Sequence, residues 1–295
     1  MQLDIPAQRN QPTPDFEHLH ELNETGELYT LVDAAAAPEQ ADELVHFLKR
    51  VGAVNLFGTA REANHEQYVA WMVPPVRDPD TRRYVLETFY TQSWRAPFVT
   101  WLQSTLPPDE LGMRLQNRLK ASVMGSEMLL RYYDPRVLPG LMKVMYGRQR
   151  TPWQALGTQW LYFDLSHRLQ TIELPGATGY DPHSYTLVFD DTQADALMDM
   201  SELGQLISHC CDNYPDTFGE LSLQDRHDTA NAARQIAQKT GFNVFDDYVR
   251  VTRLMTALGE TSQLPVNWAA HLKRIHDGEM TWQQLPALPS QEQAR

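Results

Sequence analysis

The chain has 295 residues, of which 42% are hydrophobic and 21% charged, a balance typical of a folded globular protein. Its formal net charge of -13 argues against non-specific nucleic-acid binding, because an acidic surface repels phosphate. No run approaches the ~20 apolar residues that cross a bilayer, and the opening residues lack the features of a signal peptide. The two cysteines, Cys210 and Cys211, are adjacent and cannot form a spaced disulfide framework. We therefore expect a cytoplasmic protein without membrane contact.

The charge is unevenly distributed along the chain. Residues 2–175 contain 17 Lys and Arg against 21 Asp and Glu, a net charge of -4, whereas residues 176–295 contain 8 against 17, a net charge of -9. One segment has the opposite balance, with 8 basic residues against Glu127 and Asp134. These basic residues are Arg114, Arg118, Lys120, Arg131, Arg136, Lys143, Arg148 and Arg150. We expect this segment to face an anionic neighbour, inside the protein or on a partner.

The first part of the chain is predicted to be an α/β domain. Residues 1–27 are polar and indicate a lead-in segment, with no regular period beyond a short helix around Phe16 to Leu22. Short runs of β-favouring residues, bounded by Gly, Pro or Asp, predict strands. Those strands are Leu28–Val32, Val54–Phe57, Tyr68–Val73, Glu127–Tyr133, Trp160–Leu165, Leu169–Leu174 and Tyr185–Phe189.

Helices in this part are predicted from apolar spacing and from proline at the first helical position. Apolar residues recur at helical spacing from Glu39 to Val51. After a polar loop around residues 77–83, prolines predict helix starts at Pro97, Pro108 and Pro139. The first of these would run through Trp101 and Leu102.

Beyond Asp190 only helices are predicted, with glycines separating them. The segments are Ala194–Cys211, Leu223–Thr240, Val244–Leu258 and Val266–His276. The fold class is therefore α/β, with a mixed-sheet N-terminal lobe and packed helices followed by an all-helical C-terminal lobe. We place the α/β domain at residues 28–189 and the helical lobe at residues 190–295.

The motifs of common enzyme classes are missing from the sequence. There is no Gly-rich phosphate loop, no three-glycine dinucleotide turn and no Gly-x-Ser-x-Gly elbow. His18 and His20 are two residues apart, while His271 and His276 are five apart, which does not place two metal ligands on one helical face. His209, Cys210 and Cys211 lie in an apolar helical pattern, which favours core packing over catalysis.

The dipeptide Asp181-Pro182 followed by His183 could contribute to an acid-base pair, but this pattern more often forms a turn. A site assembled from residues far apart in the sequence stays open as an alternative.

The segment Met128–Leu138 stands out because it combines apolar, aromatic and paired charged residues. In an extended strand, Leu130 and Tyr132 would share one face, while Arg131 and Tyr133 would share the other. Asp134 would accept backbone N–H bonds in a turn, Pro135 would fix the next dihedral angle, and Arg136 would offer a planar guanidinium to a carboxylate. We predict a strand-to-helix corner in which Arg131 and Arg136 pair with carboxylates such as Asp33 or Asp134.

Four segments of the sequence resemble the type VI secretion effector-adaptor family, the Tap or Tec chaperones, long known only as a domain of unknown function. Leu28 to Ala35 (LYTLVDAA) matches the leading Leu-Tyr-x-Leu-x-Asp-x-Ala strand. Leu56 to Thr59 (LFGT) matches the Leu-Phe-x-Gly-Thr segment with one residue missing, and Tyr68 to Val73 is a looser match to the next strand. Arg131 to Leu138 (RYYDPRVL) contains the whole Arg-[Phe/Tyr]-Tyr-Asp-Pro-Arg-Val-Leu signature.

The resemblance implies a chaperone in the donor cytoplasm. It would bind a toxic effector through the effector's delivery region, PAAR-like or otherwise, and help to load it onto a spike protein of the VgrG type. It implies no enzymatic activity, no cofactor, no metal and no small-molecule substrate. The family signature residues, with structural or partner-binding roles, would be Asp33, Arg131, Tyr132, Tyr133, Asp134, Pro135 and Arg136.

Two other functions remain open from the sequence. One is an enzyme whose polar cluster is Asp33, Arg131, Asp134 and Arg136, which should have a concave pocket with titratable groups of shifted pKa. The other is an immunity protein, which would bind the toxic domain of an effector. The recognisable motifs stop near Trp160, so we expect the helical lobe beyond Asp190 to select the effector.

Overall fold

A computed structural model describes residues 13–37, 40–58, 64–93, 97–175 and 186–285. The chain divides into two compact units, Met1–Met198 and Asp199–Arg295. The division lies inside a long helix, Asp191–Asn213, and not at its beginning, where the sequence composition changes. A change from strand-forming to helix-forming sequence therefore does not coincide with the border between the two compact units.

The first unit contains nine strands in the described residues. They are β1 Leu28–Asp33, β2 Val54–Asn55, β3 Ala70–Val73, β4 Val99–Gln103, β5 Lys120–Val123, β6 Ser126–Leu129, β7 Gln159–Phe163, β8 Leu169–Glu173 and β9 Leu187–Phe189. Six of them form one sheet in the order β2-β3-β1-β4-β7-β8, and every neighbouring pair is antiparallel. All six residues of β1 are buried, and Leu31 lies opposite Met72 on one side and Thr100 on the other. β1 is thus a central strand of this sheet.

A smaller sheet has the order β6-β5-β9. β5 pairs antiparallel with β6 and parallel with β9, so the mixed pairing predicted for this lobe is confined to the small sheet. β5 and β6 form a hairpin whose two turn residues, Met124 and Gly125, both have positive φ angles, 51° and 79°. Such a turn matches the twist of the flanking strands.

The helices of the first unit are α1 Pro14–Glu24, α2 Ala41–Arg50, α3 Pro79–Ser93, α4 Pro108–Gln116, α5 Leu138–Val144 and α6 Thr151–Gln154. α1 is part of the fold, because Phe16 and Leu19 are buried and Phe16 contacts Tyr90 edge to face at 5.2 Å between ring centroids. Residues 14–24 are therefore not the lead-in segment that their polarity suggested. The predicted helices at Pro108 and Pro139 are confirmed within two residues.

Two further predictions in this unit are wrong. The helix predicted from Pro97 is the strand β4, because Thr100, Trp101 and Leu102 pair with both β1 and β7, and this long-range pairing outweighs the local proline signal. The polar loop around residues 77–83 contains the start of α3, where the Asp78 carboxylate accepts the Thr81 N–H at 2.8 Å. An aspartate cap followed by a proline is a helix start that the polarity of the segment obscured.

The second unit contains the end of α7 Asp191–Asn213, followed by α8 Leu223–Thr240, α9 Phe245–Leu258 and α10 Val266–His276. Its described residues contain no strand, in agreement with the predicted helical lobe. Gly241 and Gly259 end α8 and α9 in left-handed conformations, with φ of 106° and 70°. Ala230, Ala233 and Ala237 are fully buried in a core of its own. Small side chains on α8 allow it to pack closely.

No helix in the described residues combines the length and the apolar character needed to span a membrane.

A close backbone contact leads to a first prediction. A Cβ added at Gly157 would lie 2.1 Å from the carbonyl oxygen of Gln103, which also accepts the Thr158 N–H at 2.9 Å. We expect Gly157→Ala to lower the free energy of unfolding by about 2 kcal/mol or more, because the backbone of β4 must move. Chemical denaturation of the purified variant measures this change.

The matched control is Gly112→Ala in α4, where the nearest atom to an added Cβ is the flexible end of Met72 at 3.5 Å. This substitution should be neutral or stabilising by about 0.5 kcal/mol, since alanine is the better helix former. Equal stability losses in the two variants would contradict the assigned contact.

Candidate functional site

The signature segment forms a tight corner between β6 and α5, and we define this corner as residues 130–138. The corner begins where the Leu130 N–H donates to the Leu119 carbonyl at 2.7 Å. The Asp134 N–H then donates to the Arg131 carbonyl at 3.0 Å, which closes a turn. The Asp134 carbonyl accepts the N–H groups of Val137 and Leu138, each at 2.9 Å, and so starts α5. The predicted strand-to-helix corner is present, but its strand ends at Leu129.

The Asp134 carboxylate holds the corner together from inside. Its Oδ1 accepts the Arg136 backbone N–H and the Arg136 Nε–H, both at 2.9 Å, and its Oδ2 accepts Arg136 Nη2 at 2.8 Å. The side chain of Asp134 is 3% exposed, so a bidentate charge pair satisfies a nearly buried carboxylate. The role that the sequence predicted for Asp134 and Arg136 therefore has a matching geometry.

Arg131 connects the corner to the central sheet. Its Nη2 donates to Asp33 Oδ2 at 2.5 Å and lies 3.2 Å from Asp134 Oδ2. Asp33 is the last residue of β1, and its backbone N–H donates to the Phe98 carbonyl at 2.8 Å. One guanidinium thus bridges two carboxylates, one of which lies 98 residues away in the sequence.

Both tyrosines of the corner are buried, which differs from the predicted alternation. Tyr132 donates its hydroxyl to the Leu115 carbonyl at 2.8 Å and contacts Trp153 and Trp160 edge to face, at 5.3 and 6.1 Å. Tyr132 and Tyr133 also contact each other, with ring centroids 5.4 Å apart. Strand periodicity fails here because the chain is already turning at Arg131, so both rings point inward.

The electrostatics of the corner are set by burial and by the neighbouring opposite charges. Burial raises the pKa of Asp33, and this effect exceeds the lowering by Arg131. Burial alone would lower the pKa of Arg131, but Asp33 and Asp134 raise it overall. Burial, with the nearby Asp33 charge, raises the pKa of Tyr133 above its usual range. The arrangement suits a structural charge network in which the carboxylates depend on the arginines.

Several residues of the basic segment that contains the corner pair with carboxylates inside the protein, where an anionic neighbour was predicted. Besides Arg131 and Arg136, Arg114 pairs with Glu110 at 2.5 Å and Lys120 with Glu127 at 2.7 Å. Four members of the segment are exposed, namely Lys120, Lys143, Arg148 and Arg150.

Arg118, another member of the segment, is buried. Its guanidinium donates to the carbonyls of Arg114 and Pro152 and lies 5.8 Å from the centroid of the Trp153 ring. Backbone carbonyls and an aromatic face thus stabilise this buried cation.

The other residues considered from the sequence do not converge on one site. Burial raises the pKa of Cys210 to about 12, as expected for a thiol in a core and not for a nucleophile. His209 contacts the Phe245 ring edge to face. In the part of the chain that the structure describes, no three His, Cys, Asp or Glu residues are grouped so that they could hold a metal ion. Asp181-Pro182-His183 lies outside the described residues.

A cleft in the second unit was not predicted from the sequence. Its volume is about 1030 Å³, and we call it the helical cleft. It is lined by residues from the end of α7 and the following loop, 210–221, from α9 and its end, 250–259, and from Trp268, Trp282, Gln283 and Leu285. No single motif could reveal it, because these segments are distant in sequence and each appears as an ordinary amphipathic helix or turn.

The corner leads to a prediction about stability. Arg131→Ala would leave the Asp33 carboxylate, 1% exposed, without its guanidinium. We expect a loss of about 3 kcal/mol in the free energy of unfolding, because an uncompensated buried charge is costly. The exposed Arg148 offers a matched control, and Arg148→Ala should change little. An Arg131→Ala variant that melts like the wild-type protein but loses its partner would instead indicate direct contact.

The same network predicts how that loss varies with pH. Removing Arg131 takes away the group that lowers the Asp33 pKa most, so this pKa should rise further above its ordinary value. A raised carboxyl pKa contributes stability below the unfolded-state pKa and loses it as the pH rises through the folded-state pKa. The difference in melting temperature between wild type and Arg131→Ala should therefore be largest near about pH 8 and shrink toward about pH 4.5. A constant difference across paired melting curves would contradict this.

Comparison with known proteins gives one match. Comparisons with curated proteins and with solved structures gave no significant match. Residues 28–152 match the model of a family described as a domain of unknown function, DUF4123. The matched range begins at β1 and contains Asp33 and the whole corner.

Proposed function

We propose that the protein is a type VI secretion effector adaptor, which binds a toxic effector in the donor cytoplasm and helps to load it onto a VgrG-type spike protein. The observation that carries this proposal is the complete signature, Arg131 to Leu138, inside a region that matches one family model. In this chain every charged residue of the signature has a defined partner. The resemblance between the signature and the adaptors described above supplies the functional part.

In this proposal the corner is a scaffold and not the surface that touches the effector. The guanidinium groups of Arg131 and Arg136 already bind Asp33 and Asp134, so they are poorly suited to a further carboxylate from a partner. The two tyrosines are buried and cannot contact a partner. The corner would fix the position of β6 and α5, whose exposed residues are free to differ between adaptors.

Effector choice is assigned to the second unit. This unit has its own core and lies outside the matched residues 28–152. A protein family that serves different effectors needs a shared frame and a variable surface, because specificity is a difference between affinities. The helical cleft provides concave surface for such contacts.

An enzyme and an immunity protein are the rival functions. For an enzyme, Asp33 would have to serve as a catalytic group while its Oδ2 accepts a hydrogen bond from Arg131. The helical cleft is lined by none of the residues of the candidate polar cluster, which are Asp33, Arg131, Asp134 and Arg136. For an immunity protein, the partner surface would have to lie on the toxic domain of the effector. The two binding functions therefore differ in which part of the effector is bound.

The test is co-purification with any toxin and spike proteins that prove to be encoded in the genome that carries this chain. We expect the full chain to retain the effector through its delivery region, and to retain it equally when the toxic domain is deleted. Binding only to the toxic domain, with loss of toxicity, would favour an immunity protein. A chimera with residues 199–295 taken from another adaptor should change effector preference while keeping spike association, and an unchanged preference would contradict the assignment of specificity.

A further inference from the structure

The helical cleft combines an apolar floor with charged residues at its rim. Apolar and aromatic side chains that line it include Tyr214, Phe218, Leu221, Leu254, Trp268 and Trp282. Phe218 and Trp268 are buried, with 2% and 6% exposure, so the floor is firmly packed. The cleft, at about 1030 Å³, is as large as the largest small-molecule sites, and its exposed rim suits a segment of a larger molecule.

Two arginines of α9 are held at the rim by aromatic rings. The Arg253 guanidinium carbon lies 4.4 Å from the centroid of Tyr214, and that of Arg250 lies 5.5 Å from the centroid of Trp282. Arg250 also pairs with Asp247 at 3.2 Å. The side chain of Arg253 is exposed, and among the described residues no carboxylate lies within ion-pair distance of it. A stacked guanidinium keeps its donor edges available for a carboxylate.

Two carboxylates line the same cleft from the loop that follows α7. Asp216 and Glu220 are exposed and have no basic partner among the described residues. The rim therefore has unpaired charges of both signs, the positive one on α9 and the negative ones on the loop. A ligand that is acidic throughout would be repelled by the loop, and one that is basic throughout would be repelled by α9.

We propose that the helical cleft binds an amphipathic segment of the effector, with apolar side chains on the floor, a carboxylate at Arg253 and an amine near Asp216 and Glu220. This inference rests on the proposed function, since it names the occupant of the effector-selecting unit. Helices that lay an apolar face into a hydrophobic groove are a common form of peptide recognition. Charge complementarity at the rim would then set the orientation of the segment.

The proposal can be tested with one filling variant and one charge variant. Ala257 lines the cleft and is half-buried, so Ala257→Trp should occupy the space without removing a core side chain. Arg253→Glu should reverse the charge at the rim. The matched controls are Ala270→Trp and Arg274→Glu on α10, both exposed and outside the cleft lining.

The probe is a synthetic amphipathic peptide of about five helical turns, with a leucine stripe bordered by glutamates on one side and lysines on the other. Binding is measured by calorimetry on the full chain. Ala257→Trp and Arg253→Glu should each weaken binding by about tenfold, while the controls bind like wild type. Circular dichroism and melting temperature verify that all four variants are folded.

Three results would overturn the inference: no binding of the peptide to the wild-type protein, equal binding to all variants, or a cleft variant that changes only the oligomeric state. The last result would make the cleft a self-association surface. The same variants are then used in effector co-purification. If wild type and Ala257→Trp retain the effector equally, the cleft assignment fails and the adaptor function stands. If wild type retains no effector, the adaptor function fails whatever the peptide does.

Discussion

The ion pair between Arg131 and Asp33 is the interaction on which the arrangement of sheet and corner in the first unit depends. It joins the end of a central strand to a corner 98 residues further along the chain. Burial disfavours the Asp33 charge, so the carboxylate needs the guanidinium, and the guanidinium needs the turn that Asp134 organises. Because each member satisfies another, the network stabilises one arrangement of sheet, corner and α5.

The two units have different physical characters, which suggests a division of tasks. The first unit buries large aromatic residues, such as Trp101, Trp153 and Trp160, around its antiparallel sheet. The charged residues of its corner pair with carboxylates and guanidinium groups inside the same unit. The second unit has a core of alanine, aliphatic and aromatic residues, a concave cleft and unpaired charges at the rim of that cleft. A frame whose corner charges pair with one another is suited to being shared, whereas a surface with unpaired charges is suited to recognition.

Local sequence patterns predicted the elements whose stability is local. The helices α8 and α10 begin and end at the predicted residues, and β1 differs by one residue, because caps, glycines and apolar spacing mark them directly. The strand β4 was missed because it depends on its pairing partners β1 and β7. The inward position of both Tyr132 and Tyr133 was missed because the chain turns at Arg131, where a strand was predicted to continue. The carboxylates that pair with the corner arginines, Asp33 and Asp134, could be predicted from residue type. The helical cleft could not be predicted, because segments that are distant in the sequence form it.

A double-mutant cycle on Asp33 and Arg131 tests the central claim most directly. Free energies of unfolding would be measured by chemical denaturation for Asp33→Ala, Arg131→Ala and the double variant. If each residue is needed mainly to satisfy the other, the double variant should be more stable than the sum of the single losses predicts, with a coupling energy of about 2 kcal/mol. Losses that add within about 0.5 kcal/mol would contradict the claim that this pair holds the corner to the sheet.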